Sequence, residues 1–269
     1  MGSLDGRRVL VVGASAGIGR AIATHAQRVV AYAAEPAAYG PRLTDPLWPP
    51  EGHEIARMYA ELAPLGIAPP VVPLHPRYTL PASGRTFARQ WLAERGLVPG
   101  GYIVLGLGAR RARKQPTAEQ IARWSREWQA RWGLATVFMW TPGKGDNPLY
   151  PGDDDIAAPV LGLGLPHLFP FRGAIAEALG LIFDARTSMI PDSGLMHFAA
   201  ASPGGVVGLF AAPEESAPAA RWAPVGPRAT WLEAERAVSE LADTTVHAAL
   251  AQRVAQAPAG AEVPARARV

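Results

Sequence analysis

Short apolar runs alternate along this chain with stretches whose apolar residues recur every third or fourth position. Arg8 to Val12 has the compact pattern of a buried strand, and Ala21 to Gln27 reads as a helix. Arg28 to Ala34 follows as the next strand. Gly52 to Leu65 sets Ile55, Met58, Tyr59 and Leu62 on one helical face, and Val71 to Leu74 is a short strand pattern. Thr86 to Arg95 is a helix with Phe87, Trp91 and Leu92 apolar, stopped by Gly96. Tyr102 to Leu107 is a continuous apolar run, which predicts a strand covered on both faces. The helix after it opens on a capping box, Thr117 with Gln120, and turns Ile121, Trp124, Trp128 and Trp132 inward. Leu134 to Trp140 is a strand, and Arg172 to Leu181 a helix. The next strand starts at Ile182 or at Thr187 and runs to Ile190. Leu195 to Ala201 is a short apolar helix, and Val206 to Phe210 a strand. Thr230 to Leu241 and Val246 to Val254 close as helices.

Strands alternating with helices call for parallel sheets with helices on both faces. Prolines crowd residues 36 to 81, and Val98-Pro99-Gly100-Gly101 reads as a hinge. The expected fold is therefore α/β, with two Rossmann-like domains facing across a cleft. Residues 1–98 form a shortened first domain, 99–255 the second, and 256–269 an Ala/Pro/Arg-rich loose tail.

Composition narrows the function. With 49% hydrophobic and 18% charged residues in 269, the chain can bury a real core. Its net charge of +3 is too small and too scattered to argue for nucleic acid, though it suits an anionic ligand or an acidic membrane face. Cysteine is absent, which removes disulfides and cysteine metal sites. Apolar stretches are cut by Arg, Pro and Gly before reaching a membrane-spanning length, and no secretory signal is expected. The expectation is a cytoplasmic protein.

Three stretches carry candidate chemistry. In Ile190-Pro191-Asp192-Ser193-Gly194-Leu195-Met196-His197, Ser193 is a good N-cap and Gly194 leaves the first turn uncovered. A bare helix N-terminus of this kind attracts phosphate, and it also occurs in ordinary capped helices. In Gly108 to Pro116, the cations Arg110, Arg111, Arg113 and Lys114 follow a strand, at the sheet edge where α/β proteins hold ligands. Such cations also serve as plain solvated charge. The third is Gly13-Ala14-Ser15-Ala16-Gly17-Ile18-Gly19, a glycine turn between strand and helix, with Glu35 at ribose-binding distance. It reads either as a dinucleotide grip through Gly13, Gly17 and Gly19 or as a tight turn without a cofactor. Asp153 to Asp155 read as solvated acids in a loop, because consecutive carboxylates point apart.

The glycine run resembles the opening of short-chain dehydrogenases over about thirty residues. Their Y-x-x-x-K pair is missing, since Trp140 lies four before Lys144 and Arg110 four before Lys114.

Residues 102 to 254, and more faintly 52 to 98, resemble the ADP-heptose:lipopolysaccharide heptosyltransferases. The resemblance rests on Asp192 to His197 with Ala199 and Ala200, on Val206 to Phe210, and on Gly108 to Pro116. It implies transfer of a heptose-like sugar from an ADP-sugar donor to a lipid-linked saccharide acceptor of the lipopolysaccharide core. By that resemblance residues 1–98 are the acceptor side and 99–255 bind the nucleotide sugar. Lys114 matches the lysine that neutralises the donor diphosphate, and Ser193 and Gly194 the pair that holds the phosphates. Asp192 and His197 match the acid and histidine flanking that turn. Arg111 falls on a basic family position, and Asp146 is placed near the ribose. Lys114 and Asp192 are thereby the catalytic candidates, with neither metal nor resident cofactor required. Family members carry an aspartate, taken as the catalytic base, in the loop after their first strand. Here that loop is Gly13-Ala14-Ser15, without an acid. A non-catalytic nucleotide-sugar binder is therefore the alternative, and a nucleotide-cofactor oxidoreductase the second. The resemblance also allows peripheral contact with the inner face of the cytoplasmic membrane.

Overall fold

The structure is a computed structural model that describes residues 29–32, 43–48, 50–69, 75–108, 111–147, 149, 151–213 and 218–256. By internal contacts the chain divides into two compact units, Met1–Leu74 and His75–Val269.

In the described part of the first unit, β1 (Val30–Tyr32) pairs in parallel with β2 (Asp45–Leu47). Helix α1 (Glu54–Ala60) is capped by His53, whose Nδ1 accepts from the Ile55 N–H at 3.2 Å. The apolar face expected on this helix is not a buried one: none of its residues is buried, and Met58 is exposed. The patterns at 8–27 and 71–74 and the tail 257–269 lie outside the described residues.

The second unit is built on a six-stranded, wholly parallel sheet. Its strands are β3 (Tyr102–Gly106), β4 (Ala135–Met139), β5 (Leu168–Phe171), β6 (Thr187–Pro191), β7 (Val206–Phe210) and β8 (Ala229–Glu233). They lie in the order β5-β4-β3-β6-β7-β8. Every residue of β3, β4, β6 and β7 is buried, which is why β3, β4 and β7 are near-continuous apolar runs; β6 opens on the buried polar pair Thr187 and Ser188. Chain order reverses between β3 and β6, where Leu105 registers with Met189. That reversal is the topological switch point at which open α/β sheets leave a crevice beyond the strands' carboxyl ends.

Helices cover both faces. Trp91 and Leu92 of α2 (Ala82–Ala93), Leu179 and Ile182 of α5 (Ile175–Phe183), Met196 of α6 (Gly194–Ala200) and Ala219 of α7 (Ala219–Trp222) build one core. Ile121, Trp124 and Trp128 of α3 (Ala118–Trp132), Val160 of α4 (Asp154–Gly162) and Leu250 of α8 (Asp243–Ala255) build the other. The expected capping box on α3 is present in full: Thr117 Oγ1 accepts from the Gln120 N–H, and Gln120 Oε1 accepts from the Thr117 N–H. Trp124 also donates its indole N–H to Asp243 at 2.6 Å, tying α3 to α8.

Helix α2 belongs with the second unit although it precedes the boundary expected at 98/99. Two glycines let it press on α5. A Cβ on Gly180 would stand 2.2 Å from the Gly84 carbonyl oxygen, and one on Gly84 would stand 2.6 Å from that of Ala176.

Several elements differ from the sequence expectation. The segment read as a helix from Thr230 is the edge strand β8, followed by a 3-10 turn at Val238–Glu240. Its half-exposed, mixed composition hid it, because pairing along one edge needs no continuous apolar run. The strand before Pro191 begins at Thr187, and Ile182 is inside α5. Helix α2 starts four residues before Thr86, and α4 was not expected at all.

Candidate functional site

Four strand-end loops meet at the carboxyl edge of the sheet around β3 and β6. The loop after β3 leaves the sheet through Leu107 and Gly108, the latter at φ +102°. Farther on, Arg111 caps a 3-10 turn at Ala112–Lys114 that presents Lys114. The Lys114 ammonium donates to Asp192 Oδ2 at 2.6 Å, and each side chain is only 16% exposed. Asp192 follows directly on β6 and is itself held by its N–H, which donates to the Leu209 carbonyl of β7 at 3.0 Å. The switch point is thus bridged by an ion pair whose partners are 78 residues apart.

Next to Asp192, Ser193 has extended backbone (φ −157°, ψ 164°) and caps α6 without a side-chain hydrogen bond. Its hydroxyl oxygen is buried and has no hydrogen-bond partner among the described residues. A Cβ on Gly194 would meet nothing within 4 Å. Among the described residues, therefore, nothing covers the Gly194 position in the first turn of α6. Ser193, Gly194 and Leu195 line a pocket of about 360 Å³ with Leu107 and Gly108 from the loop after β3, Met139 to Pro142 after β4 and Phe171 to Gly173 after β5.

The three acids at 153–155, expected as solvated side chains in a loop, divide: Asp155 is exposed as expected, Asp154 is half-buried, and Asp153 is buried, with Asp154 and Asp155 opening α4. Asp153 is buried, accepts from the side-chain amide of Gln115, and takes the Thr141 N–H at 2.8 Å. It fastens the loop that carries Lys114 to the loop after β4. Burial pushes its carboxyl above the ordinary value, opposed by hydrogen bonds from Thr141, Gln115 and the Gly108 N–H. Asp154 accepts from the Trp140 indole at 2.8 Å and from the Gly143 N–H at 2.9 Å, and these donors hold its carboxyl below the ordinary value. Asp155 accepts from the Gly145 N–H at 3.3 Å. The missed signal was an acidic N-terminus ahead of an apolar run, which starts α4. Arg172 was also missed: it lies over the Trp140 ring, 5.6 Å from the centroid, and both line the pocket.

Of the residues picked from the sequence, Lys114, Asp192, Ser193 and Gly194 come together. Arg111 is exposed on the same loop, and its carbonyl accepts from the Lys114 N–H at 2.9 Å. His197 is half-buried in α6, three residues beyond Gly194. Asp146 is exposed in the loop after β4 and is not among the pocket's lining residues. Gly13, Gly17 and Gly19 lie outside the described residues. Among the described residues no group of three or more His, Asp or Glu is placed to share a metal ion. Nor is any described helix long and apolar enough to cross a membrane.

Residues 74–248, more than half of the chain, match the model of glycosyltransferase family 9 (heptosyltransferase). No curated protein matches. The fold is shared with a glycosyltransferase family 9 protein from Veillonella parvula, at TM-score 0.67 and 16% identity over 87% of this chain and 69% of that one. It is shared too with the E. coli ADP-heptose lipopolysaccharide heptosyltransferase II, at TM-score 0.62 and 16% identity over 87% of this chain and 71% of that one. E. coli heptosyltransferase WaaC, solved with ADP, follows at TM-score 0.60 and 15% identity over 84% of this chain and 66% of that one. The chain spans about two thirds of the length of these structures. The parallel-sheet α/β fold expected from the sequence is theirs. The short-chain-dehydrogenase resemblance gains no support, since its glycine run precedes the matched region and lies outside the described residues.

Proposed function

Since this chain belongs to glycosyltransferase family 9, we propose that it moves a heptose-like sugar from an ADP-sugar donor to a saccharide acceptor of the lipopolysaccharide-core type. The carrying observation is the Lys114–Asp192 pair at the switch point, set beside a helix end whose Ser193 hydroxyl has no hydrogen-bond partner among the described residues. In this reading the donor lies in the pocket of about 360 Å³, with its diphosphate at the first turn of α6. Glycosyl transfer breaks the bond between the anomeric carbon and the diphosphate, and the electron pair leaves on a phosphate oxygen. Lys114 uses one ammonium proton on Asp192 and turns the other two toward that oxygen. The Ser193 hydroxyl and the N–H groups of the α6 first turn supply further donors. Asp192 is occupied as the acceptor of Lys114, which makes it the group that positions the lysine. Arg111, His197 and Asp146 are assigned to substrate binding around this centre. The WaaC structure with ADP agrees with the nucleotide class. A donor and acceptor of this type place the protein in the cytoplasm, with peripheral contact at the inner membrane face.

A second reading keeps the donor site and drops turnover. It is favoured by Gly13-Ala14-Ser15, which offers no carboxylate to take the acceptor's proton. One experiment separates the two: calorimetric titration with ADP, followed by a transfer assay with ADP-heptose and a lipid A–core acceptor. Binding with product supports the transferase. Binding without product leaves the non-catalytic binder, and absence of ADP binding refutes both.

A further inference from the structure

Asp153 is the N-cap residue of α4, yet its side chain makes no capping bond to that helix. An aspartate in this position ordinarily accepts from the N–H groups of the first turn. Here the carboxylate is turned back to the loops at the carboxyl edge of the sheet. It is 5% exposed, and it accepts from the Thr141 N–H at 2.8 Å, from the Gly108 N–H and from the side-chain amide of Gln115. Keeping a carboxylate out of water is costly, and an apolar side chain would serve packing alone at lower cost.

These donors come from separate segments. Gly108 stands at the exit from β3 and Thr141 follows β4, and both line the pocket of about 360 Å³. Gln115 comes directly after Lys114 and closes its 3-10 turn, its N–H donating to the Ala112 carbonyl at 3.0 Å. Its side chain lies as deep as the carboxylate it meets, at 6% exposure for the residue. The Asp153 N–H in turn donates to the Thr141 carbonyl at 2.8 Å, so the acid is itself held to the β4 loop. Asp192 restrains the ammonium end of Lys114, whereas the Gln115–Asp153 bond restrains the backbone from which that flexible stem grows.

We propose that Asp153 is a positioning residue for Lys114. Through Gln115 it holds the lysine's turn where the ammonium meets both Asp192 and the donor diphosphate. The diphosphate half of this inference rests on the donor-site reading above; the placement of the ammonium does not.

Lys114 and Lys144 are the only lysines in the sequence, so the test follows one ammonium directly. The full chain is acetylated with limiting N-hydroxysuccinimidyl acetate, and peptide masses give labelling of Lys114 relative to exposed Lys144. Circular dichroism first confirms that each variant is folded. The ratio should rise about fivefold in Asp153→Ala and in Gln115→Ala, the loss of one hydrogen bond. If Asp153→Ala does not fold, Gln115→Ala decides alone, since it leaves the Thr141 and Gly108 bonds in place. Asp154→Ala should leave the ratio unchanged, because that neighbouring acid is bonded to Trp140 and Gly143 instead. Calorimetric titration with ADP then separates positioning from packing. Gln115→Ala should weaken ADP about fivefold in the parent chain and less than about twofold in Lys114→Ala, where there is no lysine left to place. An unchanged labelling ratio in Gln115→Ala, an equal rise in Asp154→Ala, or equal weakening of ADP in both backgrounds overturns the proposal. If the parent chain binds no ADP, the donor-site reading falls, and the labelling ratio still decides whether Asp153 places Lys114.

Discussion

Replacing Lys114 by alanine tests the donor site most directly, because it removes an ion-pair partner and a proposed phosphate donor together. The two effects differ in size and can be separated. The pair is close, at 2.6 Å, but both side chains keep 16% exposure, so solvent screens it in part. Losing Lys114 leaves the Asp192 carboxylate uncompensated, at a cost of about 1 kcal/mol in stability rather than the 3–5 kcal/mol of a fully buried pair. Losing a charge-assisted contact to phosphate costs about 1.5–3 kcal/mol in binding, roughly 10- to 150-fold in the dissociation constant for ADP. Adding Asp192→Asn in the same chain removes the stranded carboxylate. The double variant should regain stability in urea unfolding and still bind ADP weakly by calorimetry. If Lys114→Ala binds ADP as tightly as the parent chain, Lys114 does not touch the diphosphate. If the double variant recovers ADP affinity, the lysine acts only by neutralising Asp192.

Three further outcomes follow from the geometry. Gly194→Ala adds a methyl group that meets nothing in the protein, so urea unfolding should change by no more than about 0.5 kcal/mol. ADP affinity should nonetheless fall, because the methyl group stands where the phosphate approaches α6; equal affinity would place the diphosphate elsewhere. Gly180→Ala should destabilise by about 1–3 kcal/mol in the same assay, since its Cβ would stand 2.2 Å from the Gly84 carbonyl oxygen in backbone that cannot turn aside. His247 is held below the ordinary histidine value mainly by burial, helped by Arg131, and its Nε2 is buried without a partner. A depressed value means the unfolded chain takes the proton first, so this stability is full above about pH 6.5 and is lost as pH falls through the folded value. His247→Leu should flatten the fall in Tm between pH 7 and 5, and an unchanged slope would assign that fall to other groups.

The strands at the centre of the sheet were plain in the sequence. Tyr102 to Gly106 and Val206 to Phe210 are buried on both faces, and double burial demands unbroken apolar residues whatever the neighbours are. The capping box at Thr117 and the Ser193 start of α6 were equally legible, since caps are made by residues within one turn of each other. Strand β8 was not, because an edge strand's identity rests on the hydrogen bonds it makes to β7. The sequence also marked Lys114 and Asp192 separately, as a cation after a strand and an acid before a helix. Their meeting and the latch that Asp153 puts on the lysine's loop were decided by tertiary structure alone. Local patterns report what each segment needs from its solvent and its own backbone. Which charges face one another across the sheet depends on strand order, and strand order is settled only when the whole core packs.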